Sequence, residues 1–431
     1  MHIYFSGIGG AGIGPLALIA HQAGFEVSGS DKQDGNYLHY LREQGVNNIH
    51  IGQDYDHIAA IHQLLPIDWL VYSSAIAKEQ ADSPELRFCS EHHIRTSKRD
   101  DFLGMLLDEK KLKMIAIAGT HGKTTTTAMA IWLCQQLGIP ISHSVGAKMS
   151  FADMGHYEPS SEYFIYEADE YDRNFLAYHP HLSMITGIDW DHPDIYPTRE
   201  GYVAAFRQFL DQTERAVVWD ADIDRLGLEP AEKYLKIREA DPAINEQLHL
   251  PGLVNRQDAW EVAHAIAALT GKSLDELVSH LNRFPGVGRR FELIAPHIYS
   301  DYAHTPPKIR GALQTAHEVA GDDVIVVYEG LHNTRQHFIQ NELKDLFAGL
   351  KQLYIVPSYL ARENESLKLL TPDDLKNLLN PEIRAYTQAA SLDDELKQHI
   401  QAAADAGILV LCISAGGGGS LDEWLRKNFQ A

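Results

Sequence analysis

The feature that most constrains the fold is a glycine-rich loop between an apolar run and a helical pattern. The run Met114 to Ala118 predicts a strand, residues 119–126 read Gly-Thr-His-Gly-Lys-Thr-Thr-Thr, and a predicted helix then ends near Gly138. A strand, a glycine turn and a helix start together aim backbone N–H groups and the positive end of the helix at phosphate oxygens. The loop therefore predicts a central domain that binds a nucleoside triphosphate.

Each part of this loop has a predicted task. Lys123 supplies a positive charge for the phosphates, and Thr124 supplies a hydroxyl for Mg²⁺. The common spacing of such loops would place a glycine at Ile117, so this loop is a shortened variant. The candidate ATP-binding residues here are Gly119, Thr120, His121, Gly122, Lys123, Thr124 and Thr125.

The net charge limits the possible binding partners, and the cysteine content indicates the cellular compartment. The formal net charge of -22 over 431 residues argues against a nucleic-acid partner and against binding to an anionic membrane. Cys89, Cys134 and Cys412 are isolated and odd in number, as expected of reduced thiols in a cytoplasmic protein. The sequence shows no signal-peptide pattern and no long apolar span, so we expect a protein that neither is secreted nor crosses a membrane. It leaves the choice between a monomer and a homodimer open.

Short apolar runs alternate with longer amphipathic segments along the whole chain, as in parallel sheets covered by helices. We therefore predict an α/β protein with three doubly wound domains. Residues 1–110 would form a Rossmann-like domain, residues 111–284 a central P-loop ATPase-like domain, and residues 285–431 a second Rossmann-like domain.

The N-terminal glycines form a second predicted phosphate loop. Gly7-x-Gly9-x-x-Gly12 follows the predicted strand His2 to Phe5, and Asp31 follows the strand Glu26 to Gly29. This pattern matches a dinucleotide fingerprint, so an oxidoreductase with a nicotinamide cofactor is one hypothesis. A sugar-nucleotide diphosphate is favoured, because hydride transfer has no need of the triphosphate loop at Lys123.

Two further predicted strand ends carry candidate metal ligands. The run Tyr163 to Tyr166 leads into Glu167, and the predicted strand Leu182 to Ile188 leads to His192. Because ligands bind beyond the carboxyl ends of parallel strands, both side chains are expected to face the Lys123 loop. The neighbouring acidic residues are each expected to be solvated or to cap a turn: Asp169, Glu170, Asp172, Asp189, Asp191 and Asp194.

Taken together, these motifs resemble those of the Mur ligases, ATP-dependent enzymes that join amino acids to a UDP-linked muramoyl carboxylate in bacterial cell-wall synthesis. The resemblance spans almost the whole chain, and the order and spacing of the motifs make it specific. The matching elements are residues 7–12, 119–126, 167–170, Asp191-His192, Pro251-Gly252 with Asn255, Arg289-Arg290-Phe291 and Asp301-Tyr302-Ala303-His304. The first glycine loop and residues 167–172 are most similar to members that join L-alanine to UDP-N-acetylmuramate.

The resemblance implies a role for each matching residue. Lys123 would hold the β- and γ-phosphates of ATP, Thr124 and Glu167 would bind the Mg²⁺ on ATP, and His192 would contact a second Mg²⁺ beside the muramoyl carboxylate. Lys123, His192, Arg289 and His304 are the candidate catalytic residues. Asn255, Arg290 and Asp301 would contact the nucleotide. Candidate substrate contacts are Gly7, Gly9, Gly10, Gly12, Asp31, Ser73 and Ser74 for the UDP part, and Tyr302, His304 and Arg335 for the amino acid.

The sequence departs from the family pattern at two places. Val254 and Asp258 stand where the adenine-side pattern has histidine and asparagine. After the predicted strand Val324 to Tyr328, only His332 and Arg335 match the alanine-adding members, and residues 329, 333 and 334 resemble a recycling ligase that attaches an L-Ala-D-Glu-diaminopimelate tripeptide. That ligase is therefore the main alternative, and a noncatalytic nucleotide-binding regulator is a remote one. Arg335 is expected to pair with an amino-acid carboxylate, or else with Glu329 on the surface.

Overall fold

The structure, a computed structural model, describes residues 1–73, 76, 83–192, 195–360, 363–364 and 366–430. It contains three sheets in which most neighbouring strands are parallel, each covered by helices. The predicted fold class, an α/β protein with three doubly wound parallel-rich sheets, is confirmed. No helix in the described ranges is long and apolar enough to cross a membrane.

The first sheet is entirely parallel, with the order β3-β2-β1-β4-β5. β1 is buried along its whole length, as expected of a central parallel strand that has helices on both faces. The elements of this layer are β1 (His2–Ser6), α1 (Gly14–Gln22), β2 (Glu26–Asp31), α2 (Asn36–Glu43), β3 (Asn48–Ile51), α3 (Tyr55–Leu64), β4 (Trp69–Tyr72), α4 (Pro84–Glu91), β5 (Arg95–Lys98) and α5 (Arg99–Lys110).

The second sheet has seven strands in the order β12-β11-β10-β6-β9-β7-β8. Only β7 and β8 pair antiparallel, at one edge. Its elements are β6 (Lys113–Ala118), α6 (Lys123–Gln136), β7 (Ile141–Ser144), β8 (Gly155–His156), β9 (Tyr163–Glu167), a 3₁₀ segment (Tyr171–Ala177), β10 (Leu182–Ile185), α7 (Arg199–Gln212), β11 (Arg215–Trp219), α8 (Asp220–Leu226), β12 (Tyr234–Ile237), α9 (Ala243–Gln247), α10 (Leu253–Thr270) and α11 (Leu274–Leu281).

The third sheet has the order β13-β14-β18-β15-β16-β17, and β13 and β14 pair antiparallel. These two strands form a hairpin that connects Arg290 to Asp301. The elements are β13 (Glu292–Ala295), β14 (Ile298–Asp301), α12 (Pro306–Ala320), β15 (Val324–Leu331), α13 (Asn333–Leu346), β16 (Gln352–Tyr359), α14 (Pro372–Leu378), α15 (Pro381–Arg384), β17 (Thr387–Ala389), α16 (Asp394–Asp405), β18 (Leu409–Ile413) and α17 (Leu421–Phe429).

The chain divides into two compact units. The first holds residues 1–247 and 258–284 with the first two sheets, and the second holds residues 248–257 and 285–431. The finer division into three domains, with boundaries at 110 and 284, stays a prediction.

One predicted strand is shorter than expected. β10 ends at Ile185 rather than at Ile188, because Gly187 adopts a φ of +113° and turns the chain out of the sheet. The Gly187 carbonyl then accepts a hydrogen bond from the backbone N–H of Thr120, at 2.8 Å. The early end of this strand therefore supports the phosphate loop.

Candidate functional site

The phosphate loop joins β6 to α6 and depends on its two glycines. Gly119 has a φ of +147° and Gly122 a φ of +75°, conformations that other residues rarely adopt. A Cβ atom on Gly119 would lie 3.0 Å from the Gly187 carbonyl oxygen, and one on Gly122 would lie 2.7 Å from a carboxylate oxygen of Asp258. The sequence folds into this loop because glycine alone fits both positions.

Lys123 is held at the start of α6 by an ion pair. Its Nζ donates to Glu170 Oε2 at 2.7 Å and to the Gly119 carbonyl at 2.6 Å. Burial lowers the pKa of Lys123, but the carboxylates of Glu170, Asp169 and Glu167 outweigh it and raise the pKa above its ordinary value. The lysine is therefore a fixed cation beside the loop.

Glu170 is one residue whose environment the sequence prediction placed wrongly. It was expected to be solvated or to cap a turn, but its side chain is 1% exposed and pairs with Lys123. The Tyr196 hydroxyl also donates to its backbone carbonyl at 2.6 Å. The sequence signal for a place in the site was that Glu170 stands three residues after Glu167, a predicted Mg²⁺ ligand.

Thr124 and Glu167 lie together, as predicted for an Mg²⁺ site. The Thr124 hydroxyl donates to Glu167 Oε1 at 2.7 Å, and the backbone N–H of Gly146 donates to Oε2 at 2.7 Å. A hydroxyl and a carboxylate oxygen are the hard ligands that Mg²⁺ prefers, and the ion keeps waters and substrate phosphates for its other positions. The donor set thus fits an ATP-bound Mg²⁺. Within the described residues, no group of three or more His, Cys, Asp or Glu side chains could hold a metal by itself.

The His192 side chain lies beside Glu170. Its Nε2 is 3.7 Å from Glu170 Oε1 and 3.9 Å from Asp191 Oδ2. The backbone of His192 has a φ of +55°, which is uncommon for a non-glycine residue and is found often at functional sites. Lys123, Glu170 and His192 therefore form one cluster, with Glu170 between the other two side chains.

The other polar residues of the loop support its shape. The Thr120 side chain is buried, bonds to the Asp189 carbonyl oxygen at 2.6 Å and lies 2.8 Å from the Tyr202 hydroxyl. His121 Nε2 lies 3.6 Å from Asp189 Oδ2, and the hydrogen bond from His121 lowers the pKa of Asp189. Thr125 is buried in the first turn of α6. Their predicted contacts to ATP remain predictions.

Asp258 occupies the space behind Gly122. It is almost completely buried on α10, and burial raises its pKa to about 8, although a hydrogen bond from Thr126 opposes the shift. Glu261, one turn further along α10, is also buried, and its pKa is raised by burial and then by the charges of Asp258 and Asp222. Because Asp258 replaces the asparagine of the family pattern, a protonated carboxyl lies against the phosphate loop at neutral pH.

We expect the contribution of Asp258 to the free energy of unfolding to fall as the pH rises from the ordinary pKa of 3.8 to about 8. Over this range the folded protein keeps the Asp258 proton and the unfolded chain loses it, so rising pH favours unfolding. Asp258→Asn should make this fall shallower in urea titrations across the same pH range. The same substitution at the exposed Asp211 is the control, and equal slopes in the wild type and the Asp258 variant would contradict the assignment.

The first glycine loop is held by backbone bonds and by Asp31. Gly7 has a φ of +76°, and the Gly10 N–H donates to the Gly7 carbonyl at 3.0 Å. Asp31 Oδ2 accepts from the Gly9 N–H at 2.8 Å. Asp31 was predicted to contact the UDP part, and here it fixes the loop that would do so.

Arg99 and Ser73 lie close to glycines of this loop. A Cβ on Gly12 would collide with the guanidinium of Arg99, a residue that the sequence analysis did not single out. Ser73 lies at the end of β4 with its hydroxyl 3.9 Å from the Cβ position of Gly7. Ser74 lies outside the described residues.

In the second unit, the two arginines flank Tyr302. The Arg289 and Arg290 guanidinium carbons lie 4.6 Å and 4.7 Å from the ring centre of Tyr302. Arg289 also donates to the carbonyls of Ser414 and Gly416, at 2.9 Å and 3.0 Å. The structure therefore brings these three predicted residues together.

Asp301 and His304 lie beside this cluster. The Asp301 carboxylate accepts from the backbone N–H groups of Phe291 and Ala303, each at 2.8 Å, and burial raises its pKa although Arg290 opposes the shift. His304 Nδ1 lies 2.9 Å from the Tyr302 carbonyl oxygen. Asp301 thus shapes the turn that presents both Tyr302 and His304.

The start of α13 holds the residues that depart from the alanine-adding pattern. The buried Asn333 donates to the Lys368 carbonyl at 3.1 Å and accepts from the Leu370 N–H at 2.9 Å. Glu363 accepts from the backbone N–H groups of Asn333 and Thr334, at 3.0 Å and 2.9 Å. Asn333 and Glu363 therefore tie the segment before α14 to the start of α13, and Glu363 is another residue that sequence reasoning missed.

Arg335, Glu329 and Asn255 occupy different surroundings. Arg335 is half-buried in the first turn of α13. Glu329 is buried, not at the surface, and accepts from the Ser414 hydroxyl at 2.5 Å and from the Leu421 N–H at 2.9 Å. The Asn255 amide donates to the Pro251 carbonyl at 2.7 Å. The roles of Arg335 and Asn255 in substrate binding stay predictions.

Comparison with known proteins places these features in a family context. The Mur ligase family catalytic domain matches residues 2–111, the Mur ligase middle domain matches residues 117–243, and the Mur ligase glutamate ligase domain matches residues 289–416. These three matches together cover most of the chain.

Individual relatives match along most of their own length. UDP-N-acetylmuramate--L-alanine ligase of Clostridium perfringens is 28% identical, over 96% of this chain and 95% of the relative. The ligase of the same name from a Nocardioides species is 31% identical, over 84% of this chain and 82% of the relative. A crystal structure of a UDP-N-acetylmuramate-alanine ligase from Thermotoga maritima superposes with a TM-score of 0.75 at 23% identity, covering 99% of this chain and 98% of that one. At that identity the likeness concerns the fold.

Proposed function

The chain belongs to the Mur ligase family, and from that membership we propose that it uses ATP to join L-alanine to the carboxylate of UDP-N-acetylmuramate. The single observation that carries the proposal is the cluster at the phosphate loop. Lys123 is fixed beside Glu170 and His192, and Thr124 is fixed beside Glu167. This is the arrangement that transfer of the γ-phosphoryl group to a carboxylate requires.

The first step joins two anions. The muramoyl carboxylate attacks the γ-phosphorus of ATP, ADP leaves, and a mixed anhydride between the acyl group and phosphate forms. Lys123 offsets the negative charge on the phosphoryl oxygens, and the N–H groups of the loop face the same charge. Mg²⁺, held by Thr124 and Glu167, would neutralise further phosphate charge when bound.

The second step forms the amide. The uncharged amine of L-alanine attacks the acyl carbon. Inorganic phosphate leaves with the electron pair of the broken bond and takes up the proton that the nitrogen loses. No enzyme nucleophile is needed, and Cys89, Cys134 and Cys412 are all buried. His192 and Lys123 both lie beside Glu170. We therefore propose that His192 contacts the muramoyl carboxylate, directly or through a second Mg²⁺.

The remaining groups bind and orient the substrates. We assign the UDP part to the loop from Gly7 to Gly12. We assign the nucleotide of ATP to Arg289, Arg290, Asp301 and Asn255. Tyr302, His304 and Arg335 take the amino acid. We place the reaction in the cytoplasm, where ATP and sugar nucleotides are made, and we propose a monomer or homodimer without a nucleic-acid or membrane partner.

The start of α13 favours a second candidate substrate. Asn333 and Thr334 are tied to Lys368, Leu370 and Glu363, and these two positions resemble the tripeptide-attaching ligase rather than the alanine-adding ones. A ligase that attaches the L-Ala-D-Glu-diaminopimelate tripeptide to the same sugar nucleotide would use the same ATP chemistry. The two candidates therefore differ only in the amine that the second unit accepts.

Arg335 provides a direct test of the amino-acid site. We expect phosphate release to require ATP, UDP-N-acetylmuramate and L-alanine together. Arg335→Ala should raise the KM for L-alanine by roughly 10–100-fold, because a charged hydrogen bond contributes about 1.5–3 kcal/mol. The KM for ATP should change far less. Arg384→Ala, at a helix end in the same unit, is the matched control. Equal changes in both KM values would move the carboxylate contact elsewhere.

A further inference from the structure

One acidic segment of the first unit contacts the ATP loop and also a cation that adjoins the first glycine loop. Glu167 accepts from Thr124, and Glu170 accepts from Lys123, so two of its carboxylates hold the ATP loop. Asp169 and Asp172 instead pair with cations at the end of the first sheet. We call residues 167–172 the acidic bridge. Its carboxylates therefore divide between the ATP loop and the end of the first sheet.

The partners of Asp169 and Asp172 are adjacent residues at the junction of β5 and α5. Lys98 Nζ lies 2.7 Å from Asp172 Oδ2, and Arg99 Nη2 lies 3.6 Å from Asp169 Oδ2. The Arg99 side chain is 16% exposed, and its Nε atom lies 3.6 Å from Asp100 Oδ1. Arg99 is therefore screened less than a surface cation, whereas Lys98 and Asp169 are 39% and 38% exposed.

Arg99 also touches the first glycine loop. Its Nη1 atom lies over Gly12, in the space that a Cβ would fill. Gly10 is exposed and Gly9 and Gly12 are half-buried, so the face of the loop beside Arg99 is open to a ligand. In a chain of net charge -22, a diphosphate at this loop needs a local cation. Arg99 is a cation in contact with the loop.

The acidic bridge ends in an unusual backbone. Asp172 and Arg173 have φ values of +54° and +58°, two consecutive left-handed residues without a glycine. Such conformations cost of order 1–3 kcal/mol each and persist only where surrounding contacts enforce them. The ion pair from Lys98 to Asp172 is one such contact. The position of the bridge thus depends on the first sheet.

Asp169 connects this contact to the ATP loop through the chain. It stands between Glu167, which accepts from Thr124, and Glu170, which accepts from Lys123. A change in how Arg99 pairs with Asp169 therefore acts on the short backbone segment that carries both of these carboxylates.

We propose that Arg99 is a binding residue for the diphosphate of the sugar nucleotide and that, through Asp169 and the acidic bridge, it couples this site to the ATP loop. The proposal rests on the proposed function for the identity of the two ligands. A guanidinium can bind a phosphate with one edge and keep a carboxylate on the other. Sugar nucleotide binding would then fix the bridge that holds Lys123 and Thr124, so that ATP binds with less ordering still to occur.

The test measures binding rather than turnover. The dissociation constant of a nonhydrolysable ATP analogue with Mg²⁺ is determined by calorimetry, with and without saturating UDP-N-acetylmuramate. We expect the sugar nucleotide to tighten analogue binding by at least about fivefold, and the analogue to tighten sugar-nucleotide binding by the same factor, since coupling is reciprocal. Equal analogue affinities in the presence and absence of the sugar nucleotide would overturn the coupling.

Two variants separate the two parts of the proposal. Arg99→Met should weaken UDP-N-acetylmuramate binding about tenfold or more, and Arg99→Lys should restore part of the loss, because a charge returns without the fork. Asp169→Asn should leave the affinity for each single ligand within about twofold and reduce the coupling factor towards one. If Arg99→Met fails to fold, Asp169→Asn and Arg99→Lys carry the test.

A matched control checks that the effect is specific. Lys113→Met removes another ion pair of the first unit, in which Lys113 Nζ lies 2.7 Å from Glu162 Oε1. This variant should keep the full coupling factor. A coupling factor that survives in Asp169→Asn, or sugar-nucleotide affinity that survives in Arg99→Met, would overturn the proposal. Failure of the wild type to bind UDP-N-acetylmuramate at all would instead count against the proposed function.

Discussion

Lys123→Ala is expected to reduce phosphate release at least about 10³-fold while leaving UDP-N-acetylmuramate binding intact. Lys123 is the cation of the phosphate loop, and removing a charge that faces a transferring phosphoryl group raises the transition-state energy in a site shielded from water. The sugar nucleotide is assigned to the first glycine loop, which Lys123 does not contact. Phosphate release and sugar-nucleotide binding are measured on the same preparation.

This variant needs a control for stability, because it leaves Glu170 buried without its partner. An uncompensated buried carboxylate costs about 3 kcal/mol or more, so loss of activity in Lys123→Ala could reflect unfolding. The double variant Lys123→Ala with Glu170→Gln removes the stranded charge and should recover the unfolding midpoint without recovering activity. Turnover close to wild type in either variant would contradict the assignment of the ATP loop.

Glu167→Gln is expected to lower kcat/KM by roughly 100-fold and to raise the Mg²⁺ concentration needed for half-maximal activity. The carboxylate lies 2.7 Å from the Thr124 hydroxyl and accepts from the Gly146 N–H, so the substitution keeps the shape of the site and removes the negative charge that attracts the ion. The measurement is initial rate against Mg²⁺ at fixed ATP.

The matched control is Glu162→Gln, at an exposed glutamate of the same unit that pairs with Lys113. It should leave both the rate and the Mg²⁺ dependence within about twofold of wild type, as surface ion pairs contribute little. An unchanged Mg²⁺ dependence in Glu167→Gln would mean that the ion binds elsewhere.

Much of the fold could be predicted from local patterns. The runs from Met114 to Ala118 and from His2 to Phe5 are strands in the structure, within one residue of the predicted ends. Strands that are buried on both faces have nearly continuous apolar sequences, which makes them easy to recognise. The pairing of Thr124 with Glu167 also followed from the rule that the carboxyl ends of parallel strands meet at one edge.

The positions of charged side chains could not be predicted in the same way. Glu170 belongs to a run of acidic residues that reads as a solvated loop, and only tertiary packing reveals that it is buried against Lys123. Arg99 lies 87 residues from Gly12 in sequence, and no local pattern brings the two together. Glu363 reaches the start of α13 from a loop 30 residues away. Long-range ion pairs leave no periodic signal in a single sequence.

The most direct measurement is the mass of the product formed from ATP, Mg²⁺ and UDP-N-acetylmuramate with either L-alanine or the L-Ala-D-Glu-diaminopimelate tripeptide. We predict a mass corresponding to UDP-N-acetylmuramoyl-L-alanine in the first reaction, together with one ADP and one phosphate for each amide formed. Product from the tripeptide alone would contradict the choice of L-alanine and make the protein a tripeptide ligase. The absence of product in both reactions would contradict the catalytic function itself.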